Sequence, residues 1–203
     1  MLLAAVTLGQ LLQACAPGVS PNTMTAIVRV ESGGNTLAIR DNSLGRTFAP
    51  VDVREAVAWA GQLLALGHSL DLGLSQVNSA NLPKLGLSVG QAFDPCANLR
   101  AGATILGEDY AAAASHFGAG QFALRRALGA YNSGSLYAGQ GYVNEILAAA
   151  GLAPEVDYAP PPAAVAKAPP AKTRHHTAPA TPEPSYTIEH TAGSPVTVYV
   201  GSP

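Results

Sequence analysis

The sequence predicts an α+β domain that is mainly helical with a small β element, followed by a tail without packed structure. Most of residues 1–152 form apolar, helix-like runs, and several of these begin with a capping residue. A stretch between them is rich in turn formers and indicates a hairpin. Near Gly151 the composition changes, and eleven of the sixteen prolines lie from Pro154 onward. Residues 153–203 bury too little apolar surface to offset their ordering entropy, so we expect a disordered, Pro-rich tail.

The N-terminal segment 1–15 has two interpretations that its periodicity does not separate. It is either the apolar part of a signal peptide, with Leu12–Cys15 weakly similar to a lipoprotein processing site, or the first helix of the domain. No Lys or Arg precedes the apolar run, which argues against a signal peptide, and the run is too short for a transmembrane helix. In the second interpretation, any export signal is missing from the chain as written.

Capping residues and turn formers place the other elements of the domain. Ser20 can cap a helix that has Pro21 in its first position and runs to Glu31. Asp52 and Glu55 form a capping-box-like pair before a later helix. After the helix that ends at Glu31, we expect strands over 37–40 and 46–51, a helix over 56–66 and an extended segment over 71–78. Three more helices are expected over 94–117, 121–131 and 142–150.

Composition and charge exclude several classes of protein. Charged residues make up 12% of the chain and the net charge is −2, with no basic patch, so we expect no nucleic-acid partner. The two cysteines and five histidines do not form a closely spaced ligand set, so we expect no metal site and no cofactor. Cys15 and Cys96 are either one disulfide, which would suit an oxidising compartment, or two buried free thiols.

Glu31 occupies an unusual electrostatic position at the end of an apolar run. The C-terminal end of a helix carries partial negative charge, and the neighbours Ile27, Val28 and Val30 limit solvation. Both effects favour the protonated carboxyl. A glutamate that stays protonated near neutral pH can act as a general acid. On its own, however, a Glu-Ser dipeptide is most often a solvated helix end.

Three separated segments together indicate one active site: Glu31-Ser32, Gly73-Leu-Ser-Gln-Val-Asn78 and Ala130-Tyr-Asn-Ser-Gly134. In these residues the chain resembles the lytic transglycosylases that have a goose-type lysozyme-like fold. The flanking residues, such as His68-Ser-Leu-Asp-Leu-Gly-Leu74, narrow the resemblance to the periplasmic transglycosylases that accompany type IV secretion and conjugation systems. The resemblance covers roughly residues 10–150 and implies a lysozyme-like domain over 1–152.

The resemblance implies a reaction for Glu31. The glutamate would protonate the oxygen between N-acetylmuramic acid and N-acetylglucosamine, then act as base on the muramic 6-hydroxyl. The product would be a 1,6-anhydromuramic end, formed without consuming water. No second carboxylate stands at a recognisable spacing, whereas a glycosidase that uses two needs them about 5–9.5 Å apart. Asp71 is the nearest by motif, and we assign it to the turn before Gly73.

The resemblance also implies substrate contacts, from Ser32, Ser75, Gln76, Asn78, Tyr131 and Asn132. Gln76 and Asn78 can project to the same face, and amides suit sugar hydroxyls and N-acetyl groups; otherwise they are polar turn residues. Tyr131 either hydrogen-bonds the glutamate, stacks on a sugar or belongs to the core. Ser75 stands where the family commonly has methionine beside a sugar subsite.

Two of these residues have a simpler alternative role at a helix end. Asn132 follows the tyrosine of the third segment and either contacts substrate or caps the helix. Ser32 either contacts substrate or binds a carbonyl at the end of its helix.

The resemblance places Cys15 and Cys96 where the secretion-associated family looks likely to have a cysteine pair, which favours residues 1–15 as a helix of the domain. It implies peptidoglycan glycan strands as substrate, a periplasmic location and secretion-system components as partners of the tail. The β-prone run 195–200 could add to a partner's sheet edge, or is an inert spacer. The alternatives to a transglycosylase are a muramidase that hydrolyses the same bond and a wall-binding assembly module.

Overall fold

The structure, a computed structural model, describes residues 5–153 continuously, together with 185–188 and 196–199. The helices in these parts are α1 Ala5–Cys15, α2 Pro21–Ser32, α3 Val53–Ala65, α4 Pro95–Phe117, α5 Gln121–Ser133 and α6 Gln140–Ala149. The strands are β1 Ile39–Asp41, β2 Arg46–Phe48, β3 Leu70–Leu72, β4 Val77–Asn78, β5 Ser185–Ile188 and β6 Val196–Tyr199. The mainly helical α+β prediction is therefore confirmed.

Local capping explains where the helices begin. Asp52 accepts a 2.8 Å hydrogen bond from the backbone N–H of Glu55, so α3 begins directly after the cap and three residues earlier than the predicted start at 56. Asp94 caps α4 in the same way. Ser20 precedes α2, but its side chain makes no capping hydrogen bond, and Pro21 supplies the start signal instead.

The sheet between residues 39 and 78 presents three polar side chains in a row. Its strand order is β2-β1-β3-β4 and every neighbouring pair is antiparallel. Arg40 lies opposite Asp71, and Asp71 lies opposite Asn78. Side chains alternate between the faces of a strand, so the buried Leu70 and Leu72 point into the core on the other face. The predicted turn residue Asp71 is thus in the middle of a strand.

Two hydrophobic clusters pack on opposite sides of the long helix α4. The first joins α1, α2, α5 and α6 to α4 residues such as Leu106, which is fully buried. The second joins the sheet and α3 to Ala101 of the same helix. Because α4 is shared, the helical part and the sheet are held in a fixed relation, with a cleft between them.

The disulfide alternative for the two cysteines is confirmed. Cys15 and Cys96 are bonded, with their Cα atoms 5.2 Å apart, across a sequence separation of 81 residues. The bond joins the end of α1 to the first turn of α4. Leu8 and Leu12 of α1 are buried in the first cluster, so the described part of this segment is a helix of the domain.

Within the tail, the described residues form one small antiparallel sheet in which β5 pairs with β6. The β-prone run therefore does contain a strand, and its partner strand belongs to the same chain. The predicted disorder of the rest of 153–203 lies outside the described residues, and the boundary between 152 and 153 stays a prediction. Across the stretches that the structure describes, no helix combines the length and hydropathy needed to cross a membrane.

Candidate active site

A cleft of about 660 Å³ lies between the C-terminal ends of α2 and α5 and the polar face of the sheet. Five of the predicted site residues line it: Glu31, Gln76, Asn78, Tyr131 and Asn132. The cleft therefore brings together all three sequence segments that indicated an active site.

Glu31 is partly buried in the last turn of α2 and faces the cleft. The pKa of its carboxyl is raised from 4.5 to about 7, chiefly by burial. The negative charge of Asp71 contributes to this rise, while a hydrogen bond from Tyr142 and the positive charge of Arg40 oppose it. Because desolvation dominates, Glu31 holds its proton near neutral pH, as a general acid must.

Tyr142 is a site residue that the sequence did not indicate. Its hydroxyl donates a 2.6 Å hydrogen bond to Oε1 of Glu31. Burial and the nearby Glu31 charge raise the pKa of Tyr142 far above its usual range, so the hydroxyl remains a donor. The residue lies in α6, outside the three segments, and no local pattern distinguishes it from a core tyrosine.

Tyr131 does not bind the glutamate, contrary to one of its predicted roles. Its hydroxyl donates a 2.7 Å hydrogen bond to the backbone carbonyl of Ser75. Burial raises the pKa of Tyr131 well above its usual value, with a smaller contribution from the charge of Glu31. Tyr131 thus secures the loop before β4 and still lines the cleft.

Asn98 of α4 also holds the loop before β4, and the sequence did not indicate this role. It is buried, and its Oδ1 accepts a 2.7 Å hydrogen bond from the backbone N–H of Ser75. Its Nδ2 donates to the carbonyls of Leu72 and Ala92 at 2.8 and 2.7 Å. Gly73 has φ of +74°, and a Cβ there would collide with Asn98, so this position requires glycine.

Ser32 and Ser75 are not among the residues that line the cleft. Ser32 Oγ lies 3.2 Å from the carbonyl of Val28 in its own helix, the alternative role expected for it, and 2.8 Å from the carbonyl of Leu74, which joins α2 to the loop. Ser75 is fully buried against Gly102, where a Cβ would come within 2.6 Å of the Cβ of Ser75. Ser75 therefore packs against α4 and does not line the cleft.

The two amides of the second segment have different roles. Gln76 has φ of +46°, and its Nε2 donates to the carbonyls of Gly73 at 2.8 Å and Ala38 at 3.3 Å. Its carbonyl oxygen is therefore the group that it can offer to a sugar. Asn78 donates to Asp71 at 2.7 Å and accepts from the backbone N–H of Ala80 at 3.0 Å. Asn78 also lines the cleft, and its contact with a sugar stays a prediction.

Asp71 lines the cleft as a second carboxylate, contrary to the expectation that it belongs to a turn. Its Oδ1 accepts from Asn78 at 2.7 Å, and its Oδ2 accepts from Asn42 at 2.8 Å. The negative charge of Asp71 contributes to the raised pKa of Glu31, so the two carboxyl groups interact electrostatically.

The end of the cleft formed by α4 is acidic. Lys84 pairs with Glu108, and burial raises the pKa of the neighbouring Asp109 to about 6. Within residues 5–153 and the two described tail strands, no three or more His, Cys, Asp or Glu side chains form a group that could hold a metal ion.

Comparison with known proteins identifies the family. The Transglycosylase SLT domain model matches residues 12–142. The chain is 43% identical over 148 residues to the type IV secretion system protein virB1 of Brucella suis, an alignment that covers 69% of this chain and 62% of the relative. It is 41% identical over 138 residues to the protein virB1 of Agrobacterium fabrum, covering 67% of this chain and 56% of that relative.

The chain therefore spans about three fifths of the length of the curated relatives that it matches. No solved structure matches it significantly. The family match extends from α1 into α6 and includes Glu31, the loop held by Asn98, and Tyr142. This chain belongs to the transglycosylase SLT domain family.

Proposed function

We propose that this protein is a peptidoglycan lytic transglycosylase. It cleaves the β-1,4 bond between N-acetylmuramic acid and N-acetylglucosamine and leaves a 1,6-anhydromuramic end. The observation that carries this proposal is Glu31, whose pKa is raised to about 7 in the wall of a polar cleft. The cleft volume of about 660 Å³ lies within the range of sites that bind small molecules or sugar units.

Glu31 supplies both proton transfers of this reaction. In the first step its proton goes to the glycosidic oxygen as the bond from C1 to that oxygen breaks and the electron pair leaves with the oxygen. In the second step the Glu31 carboxylate removes the proton of the muramic 6-hydroxyl, whose oxygen bonds to C1. The glutamate ends protonated, as it began. A pKa of about 7 suits both roles, because the acid and base forms are both accessible near neutral pH.

The rest of the cleft offers groups that suit a glycan. The carbonyl oxygen of Gln76 can accept a hydrogen bond from a sugar hydroxyl or an N-acetyl N–H. Tyr131 lines the cleft next to this amide, and the exposed amide of Asn132 lies at its rim. Aromatic and amide side chains together provide stacking and hydrogen bonding for a sugar ring.

A muramidase that hydrolyses the same bond is the second candidate, and Asp71 favours it. Hydrolases of glycosidic bonds commonly use two carboxyl groups, and the cleft holds both Glu31 and Asp71. The two candidates differ in the acceptor at C1, which is the muramic 6-hydroxyl in one case and water in the other.

The cellular role that we propose is local opening of the cell wall for a type IV secretion or conjugation apparatus. It is supported by the names of the virB1 relatives, one of which is called a type IV secretion system protein. Such a role implies a periplasmic location. The tail 153–203 would contact secretion components, and a pull-down with this segment tests that; retention of no such component would contradict it.

The enzymatic proposal is tested with Glu31→Gln on purified murein sacculi. The variant keeps the size of the side chain and can still accept from Tyr142, so it should fold, with a melting temperature no lower than that of the parent. We expect the parent to release soluble muropeptides and the variant to release none. Release at the parent rate by a folded variant would contradict the role of Glu31.

A further inference from the structure

Asp71 is a charged side chain of the cleft that the single-acid chemistry leaves without a role. It lies in the middle of β3, where its neighbours Leu70 and Leu72 point into the core. Its carboxylate is therefore directed to the cleft face, in one row with Arg40 and Asn78 on the adjacent strands. Strand register, not a flexible loop, sets this position.

Two amides hold the carboxylate of Asp71 in one orientation. The NH₂ groups of Asn42 and Asn78 each donate to a different oxygen, at 2.8 and 2.7 Å. Because an amide NH₂ donates and does not accept, both oxygens of Asp71 act as acceptors, which is the arrangement of an ionised carboxylate. Asn42 and Asn78 therefore position the carboxylate of Asp71.

The charge of Asp71 is not cancelled by an ion pair. Among the described residues, no ion pair involves Asp71, although Arg40 lies opposite it on β1. The negative charge of Asp71 raises the pKa of the Glu31 carboxyl, and it does so more than the charge of Glu145 does. Strand pairing at this position is made by backbone groups and does not need a charged side chain.

Glu31 and Asp71 differ in the surroundings that the fold provides. Glu31 is desolvated and receives one hydrogen bond from a tyrosine, whereas Asp71 is surrounded by amide donors. Two carboxyl groups with such different surroundings in one cleft can have different catalytic roles, one as a protonated acid and the other as a negative charge.

We propose, as an extension of the function proposed above, that Asp71 is a second catalytic carboxylate. Its negative charge stabilises the positive charge that develops at C1 and the ring oxygen of the muramic sugar as the glycosidic bond breaks. Asp71 forms no covalent bond and transfers no proton in this role. A fixed charge aimed at a developing charge is among the strongest contributions a protein makes to a reaction rate.

Asp71→Asn tests the proposal in the full chain, with steady-state kinetics on soluble glycan strands. We expect kcat at the pH optimum to fall by about 10²–10³-fold, with KM changed little, because the interaction is made in the transition state. Asp71→Ser removes the charge without placing an NH₂ group against the donors of Asn42 and Asn78. It should show the same loss and serves where the Asn variant fails to fold.

Glu145→Gln is the matched control. Glu145 is exposed on α6 outside the cleft, and its charge also raises the pKa of Glu31, by less than that of Asp71. Both substitutions should therefore move the alkaline limb of the pH–rate profile to lower pH, and the Asp71 shift should be larger. At the optimum, Glu145→Gln should keep the parent kcat.

A kcat within about threefold of the parent for a folded Asp71 variant would overturn this inference. The same result, with Glu31→Gln inactive, would leave the proposed function standing. Activity of Glu31→Gln at the parent level would instead contradict the proposed function itself. The two failures are thus distinguishable in one set of variants.

Discussion

The hydroxyl of Tyr142 donates a 2.6 Å hydrogen bond to Oε1 of Glu31, which connects two residues 111 positions apart. This contact orients the carboxyl and opposes the effect of burial on its pKa. Burial has the larger effect, and the pKa of Glu31 is raised to about 7. Packing of α6 against α2 is therefore part of the candidate active site.

Replacing Tyr142 with Phe removes a hydrogen bond that favours the ionised form of Glu31. The pKa of the carboxyl should then rise above about 7, and the alkaline limb of the pH–rate profile should move to higher pH. The rate at the optimum should fall about tenfold, because the carboxyl loses its orientation. The same change at the exposed Tyr137 should leave the profile unaltered. An alkaline limb that stays in place or moves down in Tyr142→Phe would contradict this account.

The raised pKa of Glu31 makes the stability of the fold depend on pH. A carboxyl with pKa about 7 in the folded protein and 4.5 when unperturbed binds its proton more tightly in the folded state. The resulting stabilisation is fully present below pH 4.5 and is lost as pH rises through about 7. Glu31→Gln is neutral throughout, so its melting temperature should exceed that of the parent above this range.

Thermal unfolding of both proteins across this pH range is the measurement. The advantage of the Gln variant should shrink steadily as pH falls from about 7 and reach its minimum below pH 4.5, where Glu31 is protonated in both the folded and unfolded states. An advantage that does not vary with pH would show that packing, and not ionisation, distinguishes the two side chains.

Gly102 and Gly107 lie on the same helix α4 and should respond oppositely to alanine. At Gly102 a Cβ would come within 2.6 Å of Ser75 Cβ and 3.0 Å of the Tyr131 hydroxyl. Gly102→Ala should destabilise the fold by about 1–3 kcal/mol and lower activity by displacing the loop before β4. At Gly107 a Cβ would meet nothing within 4 Å, so alanine should stabilise by about 0.5–1 kcal/mol.

Urea unfolding of the two alanine variants gives both free energies under one set of conditions. Equal changes in the free energy of unfolding at the two positions would show that a Cβ at Gly102 does not clash with Ser75, and would contradict this prediction.

The disulfide should make a substantial contribution to stability. It closes a sequence separation of 81 residues between Cys15 and Cys96, which restricts the unfolded chain strongly. Replacing both cysteines with alanine should lower the free energy of unfolding by about 2–5 kcal/mol. Dithiothreitol should have a similar effect on the parent and none on the double variant. A parent protein whose unfolding is insensitive to reductant would contradict this expectation.

Sequence reasoning succeeded where the signal is local. The capping pair at Asp52 and the Asp-Pro start of α4 depend on neighbouring residues, so both helices could be predicted. Glu31 and Gln76 were found because short motifs carry them. The position of the β-hairpin was also correct, although Asp41 ends the first strand by accepting the backbone N–H groups of the turn.

The residues that sequence reasoning missed act over long distances. Tyr142 and Asn98 have ordinary local surroundings, and only tertiary packing brings them to Glu31 and to the loop before β4. The misassignment of Asp71 has a related cause. Its side chain direction follows from strand register, and a shift of one residue would have turned it into the core.

Digestion of murein sacculi in H₂¹⁸O, followed by mass spectrometry of the muropeptides, tests the central claim most directly. The proposed chemistry predicts 1,6-anhydro ends that carry no ¹⁸O, since the muramic 6-hydroxyl is the acceptor at C1. These ends should be absent with Glu31→Gln. Products that are one water heavier and carry ¹⁸O at the new reducing end would contradict the transglycosylase and identify a hydrolase.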